Sequence, residues 1–366
     1  MNNKKEESRR HFIKTSSLGT GGLLLASQGF SIPSFGQAQK KLGIALVGLG
    51  YYSRDLLSPA LQETKHSYLA GIVTGSPEKE KIWQEKYGIK KKNIYNYDNF
   101  DEIVKNKDID IVYVVLPNKL HKEFTIRAAQ AGKHVICEKP MAMNAAECRE
   151  MIDACKKAGV KLSIGYRLQF EPYTQEVMRL GQEKVYGDVR YITANAGFYG
   201  RNMKGNWKAG KELGGGAMMD MGVYSLQGAR LIVGEEPISV QAQAHIHRQE
   251  MFEAEETMTF QLEFPGGTFA NCHTTFNANV NVLHAAAEKG WFRLDPFQYY
   301  RGLKGDSSDG PLNFPVINQQ AQQMDEVALS IMNDTPMRVP GEEGLRDMIV
   351  VDAAYESVRT GKKISI

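Results

Sequence analysis

The sequence predicts an α/β protein in which a doubly wound parallel sheet is followed by a second α/β domain with an open, largely antiparallel sheet. Three observations carry that expectation. A strand, Leu42 to Val47, runs directly into the turn Gly48-Leu49-Gly50-Tyr51-Tyr52-Ser53 and a helical stretch through Gln62. Short apolar, β-branched runs then alternate with helical stretches as far as Gly165, the pattern of βαβ units. Beyond Gly165 that alternation gives way to strand-like segments. The boundaries that follow are 1–38 for a targeting segment, 39–164 for the first domain and 165–366 for the second.

Composition narrows the class. A chain of 366 residues, 42% hydrophobic and 24% charged, suits a globular protein of about two domains. Lys and Arg total 45 against 42 for Asp and Glu, so nothing electrostatic points to nucleic acid or an anionic membrane as partner. Cys137, Cys148, Cys155 and Cys272 lack metal-type spacing and read as free buried thiols. His245 and His247 alternate on a strand with no third ligand in view, so no metal site is expected. At the N-terminus, Ser8-Arg9-Arg10-His11-Phe12-Ile13-Lys14, a Gly-rich apolar stretch through Leu25 and the small-x-small site Gly36-Gln37-Ala38 resemble a twin-arginine export signal. Leu18 to Ala26 is much shorter than the ~20 residues needed to span a bilayer, and a periplasmic location is expected.

The first turn carries a dinucleotide fingerprint. Gly48 permits the tight turn and Gly50 lets backbone approach a pyrophosphate, while amides at the helix start face phosphate charge. Ser53 stands in the third, small position. This makes residues 39–164 a Rossmann dinucleotide-binding domain, with Leu49, Tyr51 and Tyr52 also beside the cofactor. The second strand, Tyr68 to Thr74, ends in Thr74-Gly75-Ser76-Pro77 with Lys79 and Lys81 beyond. It lacks the carboxylate that usually meets the adenosine ribose diol, and hydroxyl and ammonium groups suit a 2′-phosphate. NADP is therefore expected over NAD.

Helical stretches at Trp83 to Tyr87 and Phe100 to Lys105 flank a loop with Tyr95 and Tyr97. The strand Asp110 to Leu116 ends in Pro117-Asn118-Lys119-Leu120-His121, which opens a helix through Gln130. The run His134 to Cys137 reads as a buried strand leading into Glu138-Lys139-Pro140. Ligands collect beyond the carboxyl ends of such strands, and Pro140 restricts the residue before it, so Lys139 is held on a stiff turn at that edge. A helix, Ala145 to Ala158, and the strand Lys161 to Gly165 close the series. Later strands are expected at Val189 to Ala196, Ile238 to His245, Glu256 to Phe264, Thr268 to Thr275 and Val280 to Ala287. Between them Gly214-Gly215-Gly216 precedes a helix, Ala217 to Val233, with Asp220 and Tyr224 on one face. Trp207, between Gly205 and Gly210, has a face suited to stacking on a sugar or nicotinamide, and Tyr299 and Tyr300 follow Asp295-Pro296 toward the cofactor. Met324 to Met332 and Leu345 to Val358 read as structural amphipathic helices.

Taken together, Gly48-Leu49-Gly50, Leu116-Pro117-Asn118 with His121, Glu138-Lys139-Pro140 and Gly165-Tyr166-Arg167 resemble the Gfo/Idh/MocA oxidoreductase family over essentially the whole mature chain. In that family the Asp220 region is an Asp-x-Gly-x-His signature. Here Asp220-Met221-Gly222-Val223-Tyr224 carries Tyr for His, the form of the glucose-fructose oxidoreductases. The resemblance implies a sugar oxidoreductase with Lys139, Tyr224 and Asp220 as its catalytic residues. Its cofactor site would be Gly48, Leu49, Gly50, Tyr51, Tyr52, Thr74, Gly75, Ser76, Lys79, Leu116, Pro117, Asn118, His121, Glu138, Lys139, Arg167, Trp207 and Tyr299.

A phenol, ordinarily near ~10, is a poor base, and Lys139 is the cation available to favour its ionised form. Tyr224 would take the hydroxyl proton of the sugar, Lys139 would stabilise the oxyanion, and Asp220 would orient the substrate or Tyr224. Arg167 and His121 stand second for sugar hydroxyl contacts, and the loop 198–211 would shape specificity. Export leaves no free cofactor pool, so a tightly held NADP(H) reset by a second sugar is expected. The resemblance also implies a homodimer or homotetramer. One departure is the N-terminal arm of glucose-fructose oxidoreductases, for which cleavage after Ala38 leaves almost no residues. A nicotinamide-dependent glycosidase, an ordinary NAD(P)-dependent sugar dehydrogenase and a non-catalytic sensor are the rival readings.

Overall fold

The computed structural model describes residues 41–366, and the expected export signal, 1–38, lies outside the described residues. Six parallel strands form the first sheet: β1 (Leu42–Val47), β2 (Ser67–Val73), β3 (Ile94–Tyr95), β4 (Ile111–Val114), β5 (His134–Cys137) and β6 (Leu162–Ile164). Their order is β3-β2-β1-β4-β5-β6. The central strands β1 and β4 are buried along their whole length, as continuous apolar runs should be when helices cover both faces. Alternation by the pleat divides β1 between two cores. Ala45 and Val47 join one face, and Leu42, Ile44 and Leu46 the other. The chain reverses its winding between β1 and β4, so the crevice at their carboxyl ends is where a ligand is expected.

The helices His121–Gln130 and Ala145–Ala158 follow β4 and β5. Leu57, Ala60, Leu61 and Trp83 supply part of the cover over Leu42, Ile44 and Leu46, and the rest comes from far along the chain. Ala321, Met324, Val327 and Ala328 of the helix Gln319–Met332 pack into that core. A segment that the linear boundary at 165 assigns to the second domain is thus built into the first.

The second sheet has nine strands: β7 (Val189–Gly197), β8 (Ser239–His245), β9 (Thr257–Glu263), β10 (Phe269–Thr275), β11 (Val280–Ala287), β12 (Gly290–Leu294), β13 (Gly305–Ser307), β14 (Gly310–Leu312) and β15 (Ile364–Ser365). Their order is β14-β13-β12-β11-β7-β10-β9-β8-β15, antiparallel throughout except for the β7–β10 pair. The five expected strands are present within a residue or two. The short strands β3, β13, β14 and β15 are two or three residues long, too short for a periodic signature; cross-strand pairing decides them, not local preference. The buried face of the sheet is covered by the helices Val223–Val233 and Gly341–Thr360. Phe100–Lys105 is a 3₁₀ helix, and Met218–Gly222 is a π turn leading into Val223–Val233. Among the described residues no helix is long and apolar enough to cross a membrane, all four cysteines are buried free thiols, and no cluster of three metal-ligating side chains occurs.

Candidate active site

A cavity of about 780 Å³ opens at the carboxyl ends of β1 and β4 and runs into the second domain. Its floor is the turn after β1. Gly48 has φ +91°, and a side-chain carbon there would stand 2.4 Å from the Val115 carbonyl oxygen. Gly50 has no neighbour within 4 Å of its missing side chain and faces open space. Ser53 does more than keep the third position small: its hydroxyl donates to the Gly48 carbonyl at 2.6 Å, bracing the turn from beneath. Thr74 and Lys79 also line the cavity, and the Lys79 ammonium donates to the Leu49 carbonyl at 3.2 Å. A bare glycine floor beside a cation, with no carboxylate at the end of β2, fits a dinucleotide with its phosphates on the turn.

The opposite wall holds the expected reactive groups. Lys139 follows β5, and its ammonium sits 4.5 Å from the centroid of the Tyr224 ring. The same ammonium donates to the Asp220 main-chain carbonyl at 2.6 Å and stands 3.5 Å from the carboxylate. The π turn widens the helix start, and Asp220, Met221 and Tyr224 all line the cavity. Burial alone would lower Lys139; Tyr224, Asp220 and Glu138 outweigh it, and its ammonium is held above the ordinary lysine value. Burial would likewise raise Asp220, but Lys208 and then Lys139 hold its carboxyl below the ordinary range. Asp220 thus engages two lysines, Lys208 and Lys139. Glu138 is pushed up by burial, against its hydrogen bond from Tyr113 (2.7 Å) and the charge of Lys139.

Of the other expected cofactor residues, Leu49, Tyr51, Tyr52, Leu116, Pro117, Asn118, Glu138, Trp207 and Tyr299 line the cavity. Four do not. Ser76 caps the helix Pro77–Tyr87, accepting from the Lys79 amide, and Gly75 packs against the Tyr97 ring. His121 is fully buried, with Nδ1 2.9 Å from the Pro140 carbonyl and Nε2 2.8 Å from the Leu116 carbonyl. Both ring nitrogens are occupied, so it ties the Lys139 turn to the Leu116 loop and has no nitrogen left for a ligand. Arg167 is also buried, beneath the cavity wall. It donates to the main-chain carbonyls of Gln298 (2.6 Å) and Tyr299 (3.0 Å) and to the Gln319 side chain. Its guanidinium lies 4.5 Å from the Tyr300 ring centroid and 5.5 Å from that of Tyr224. It supports the wall and does not reach a sugar.

Against this geometry, family models match in three consecutive pieces: an oxidoreductase family, NAD-binding Rossmann fold, over 42–166; a Gfo/Idh/MocA C-terminal domain over 174–293; and an oxidoreductase family C-terminal alpha/beta domain over 312–366. The chain belongs to the Gfo/Idh/MocA oxidoreductase family. The structure of an aldose-aldose oxidoreductase from Caulobacter crescentus, solved with glycerol, is 42% identical, with TM-score 0.86 over 89% of this chain and 100% of that one. A D-xylose 1-dehydrogenase [NADP(+)] from Haloarcula marismortui is 25% identical over 88% of this chain and 92% of its own length. A trans-1,2-dihydrobenzene-1,2-diol dehydrogenase from Xenopus tropicalis is 33% identical over 64% and 68%.

The glycine turn is a sensitive point, because Gly48 has φ +91° and no room for a side chain. Gly48→Val combines a forbidden backbone angle with a collision at Val115, and it is expected to weaken NADPH binding by about 10- to 100-fold, read by fluorescence titration. The sequence alone singles out neither Lys208 nor Gln298, which also line the site. No motif marks them, because each reaches the cavity through loop packing.

Proposed function

We propose that this chain is an exported sugar oxidoreductase that oxidises one aldose and reduces a second sugar on a single retained NADP(H). The observation that carries the reading is the meeting of the Lys139 ammonium and the Tyr224 ring, 4.5 Å apart, in the same cavity as the glycine turn. The aldose-aldose oxidoreductase activity for which the Caulobacter crescentus relative is named supports the substrate class. When bound, the nicotinamide accepts hydride from a carbinol carbon or returns it to a carbonyl. The chain's own residues handle the proton and the charge. Tyr224 takes the carbinol hydroxyl proton, and the Lys139 ammonium stabilises the oxygen as it becomes anionic. Loss of hydride from the anomeric carbon and of the proton from its hydroxyl turns a cyclic aldose into a lactone. The same hydride and proton, returned to the carbonyl of a second sugar, give an alditol.

Thr74, just past β2, and Lys79 line the cavity while the neighbouring Glu78 and Glu80 do not, which favours a 2′-phosphate and hence NADP; the xylose dehydrogenase relative is named for the same cofactor. The paired arginines Arg9-Arg10 favour export to the periplasm. With association near ~10⁶ M⁻¹s⁻¹, a nanomolar complex lasts about a quarter of an hour and a picomolar one about ten days. An exported enzyme therefore keeps its cofactor and resets it in place. Protein purified without added cofactor should carry NADP(H), its reduced-nicotinamide absorbance rising with an aldose and falling with a second sugar. An apo preparation that binds NADPH with micromolar affinity would sink this reading. It would favour the alternative suggested by the xylose dehydrogenase relative, a dehydrogenase exchanging NADP freely.

A further inference from the structure

Lys208 is the least expected charge in the cavity. It lies on the short turn Trp207–Ala209, in the loop that the sequence marks only as a specificity segment. Its ammonium straddles the Asp220 carboxylate, 3.0 Å from Oδ1 and 2.9 Å from Oδ2. The turn that carries it is fixed. The Lys208 amide donates to the Asn206 side chain at 3.0 Å, and its carbonyl accepts from the Gly216 amide at 2.8 Å. The fit is tight enough that a side-chain carbon on Gly215 would stand 2.4 Å from the Lys208 carbonyl oxygen. The glycine run 214–216 therefore serves to seat this turn against the start of the Asp220 helix.

Two cations compete for one carboxylate. Lys208 holds both oxygens at close range, while Lys139 stands 3.5 Å from one of them and makes its short contact, 2.6 Å, with the main-chain carbonyl. Lys139 faces Tyr224, Asp220, Glu138 and Arg167, and Asp220 faces Lys208 and Lys139. A carboxylate released from Lys208 would have Lys139 as its nearest remaining cation. It would then take up the N–H donors and the positive field that the reaction needs at the substrate oxygen and at Tyr224.

We propose that Lys208 is a positioning residue that grips both oxygens of the Asp220 carboxylate and so limits its hold on Lys139 to the one 3.5 Å contact, leaving the remaining N–H donors of the Lys139 ammonium for the substrate oxygen and Tyr224. The inference rests on the assignment of Lys139 and Tyr224 to proton and charge handling. Charge bookkeeping fixes the signs. The Lys208–Asp220 pair is neutral, Lys208→Met leaves a net negative charge beside Lys139, Asp220→Asn leaves a net positive one, and the double variant is neutral again.

The test is the pH profile of kcat/KM for aldose oxidation. In Lys208→Met the acid limb should move up by about one pH unit, with an approximately tenfold loss below it. Asp220→Asn should move it down, Lys208→Arg should leave it near the wild type, and the double variant should return it toward the wild-type position. An unmoved limb in Lys208→Met, or one that Lys208→Arg fails to restore, would overturn the proposal. A readout free of turnover separates this from the assignment of the reaction: competitive acetylation of Lys139 with acetic anhydride across pH, followed by mass spectrometry. Its midpoint should rise in Lys208→Met even if no aldose is oxidised, and an unchanged midpoint counts against Lys208.

Discussion

Tyr224→Phe is expected to lower kcat by about 10³-fold and to leave NADPH affinity within a few-fold of the wild type. The substitution removes one oxygen and keeps the ring that packs between Lys139 and Arg167, at 4.5 and 5.5 Å from its centroid, so the wall of the cavity survives. Lys139→Met should cost about as much. Its ammonium lies over the Tyr224 ring in the same cavity. In the proposed mechanism the two residues act on one proton and one oxygen, so the double variant should be little worse than either single one, as for groups that work as a unit. Stopped-flow measurement of nicotinamide reduction separates the chemical step from release. Retention of wild-type reduction rates by Tyr224→Phe would remove the phenol from the mechanism.

Arg230→Met should be among the most destabilising single changes, by about 3–5 kcal/mol in denaturant unfolding. Arg230 lies on the helix that begins just before Tyr224 and is itself buried. It joins Glu236 at 2.6 Å, Glu343 at 3.1 Å and Asp347, which ties that helix to Gly341–Thr360. Removing the cation leaves three carboxylates around a buried gap. The same cluster gives a pH signature. Burial lifts the Asp347 carboxyl to about 6, in spite of Arg230 and with help from Glu343. That lies above the unfolded value of ~3.9, so the folded state binds this proton more tightly. The stability it contributes is fully present below about pH 4 and is lost as pH rises through about 6, roughly 3 kcal/mol over the interval. Asp347→Asn does not titrate. Its stability relative to wild type should therefore improve across that window, and a constant difference would contradict the assignment.

Much of the site was legible because local chemistry wrote it. Gly48 and Gly50 are required by a backbone that turns and leaves room, and Lys139 by a strand end followed by proline, whereas Tyr224 is marked by the resemblance of Asp220-Met221-Gly222-Val223-Tyr224 to the family signature. The residues read differently in three dimensions are those whose role depends on what packs against them. His121 and Arg167 look like ligands when read as charged or titratable groups near a sheet edge. The His121 ring nitrogens face the Leu116 and Pro140 carbonyls, and the terminal Arg167 nitrogens donate to the Gln298 and Tyr299 carbonyls. Lys208 reads as a loop lysine until the Gly214-to-Gly216 stretch brings it onto Asp220.

By itself the sequence determined the alternation that builds the parallel sheet, the glycine turn at its switch point, and the five long strands of the second sheet, because pleat period and backbone restriction act between near neighbours. Only the tertiary structure decided that the helix Gln319–Met332 closes the first core, that β12 to β15 extend the second sheet, and which cation holds Asp220. Those outcomes depend on contacts between residues far apart in the chain, where burial and competition for a shared partner outweigh any local preference.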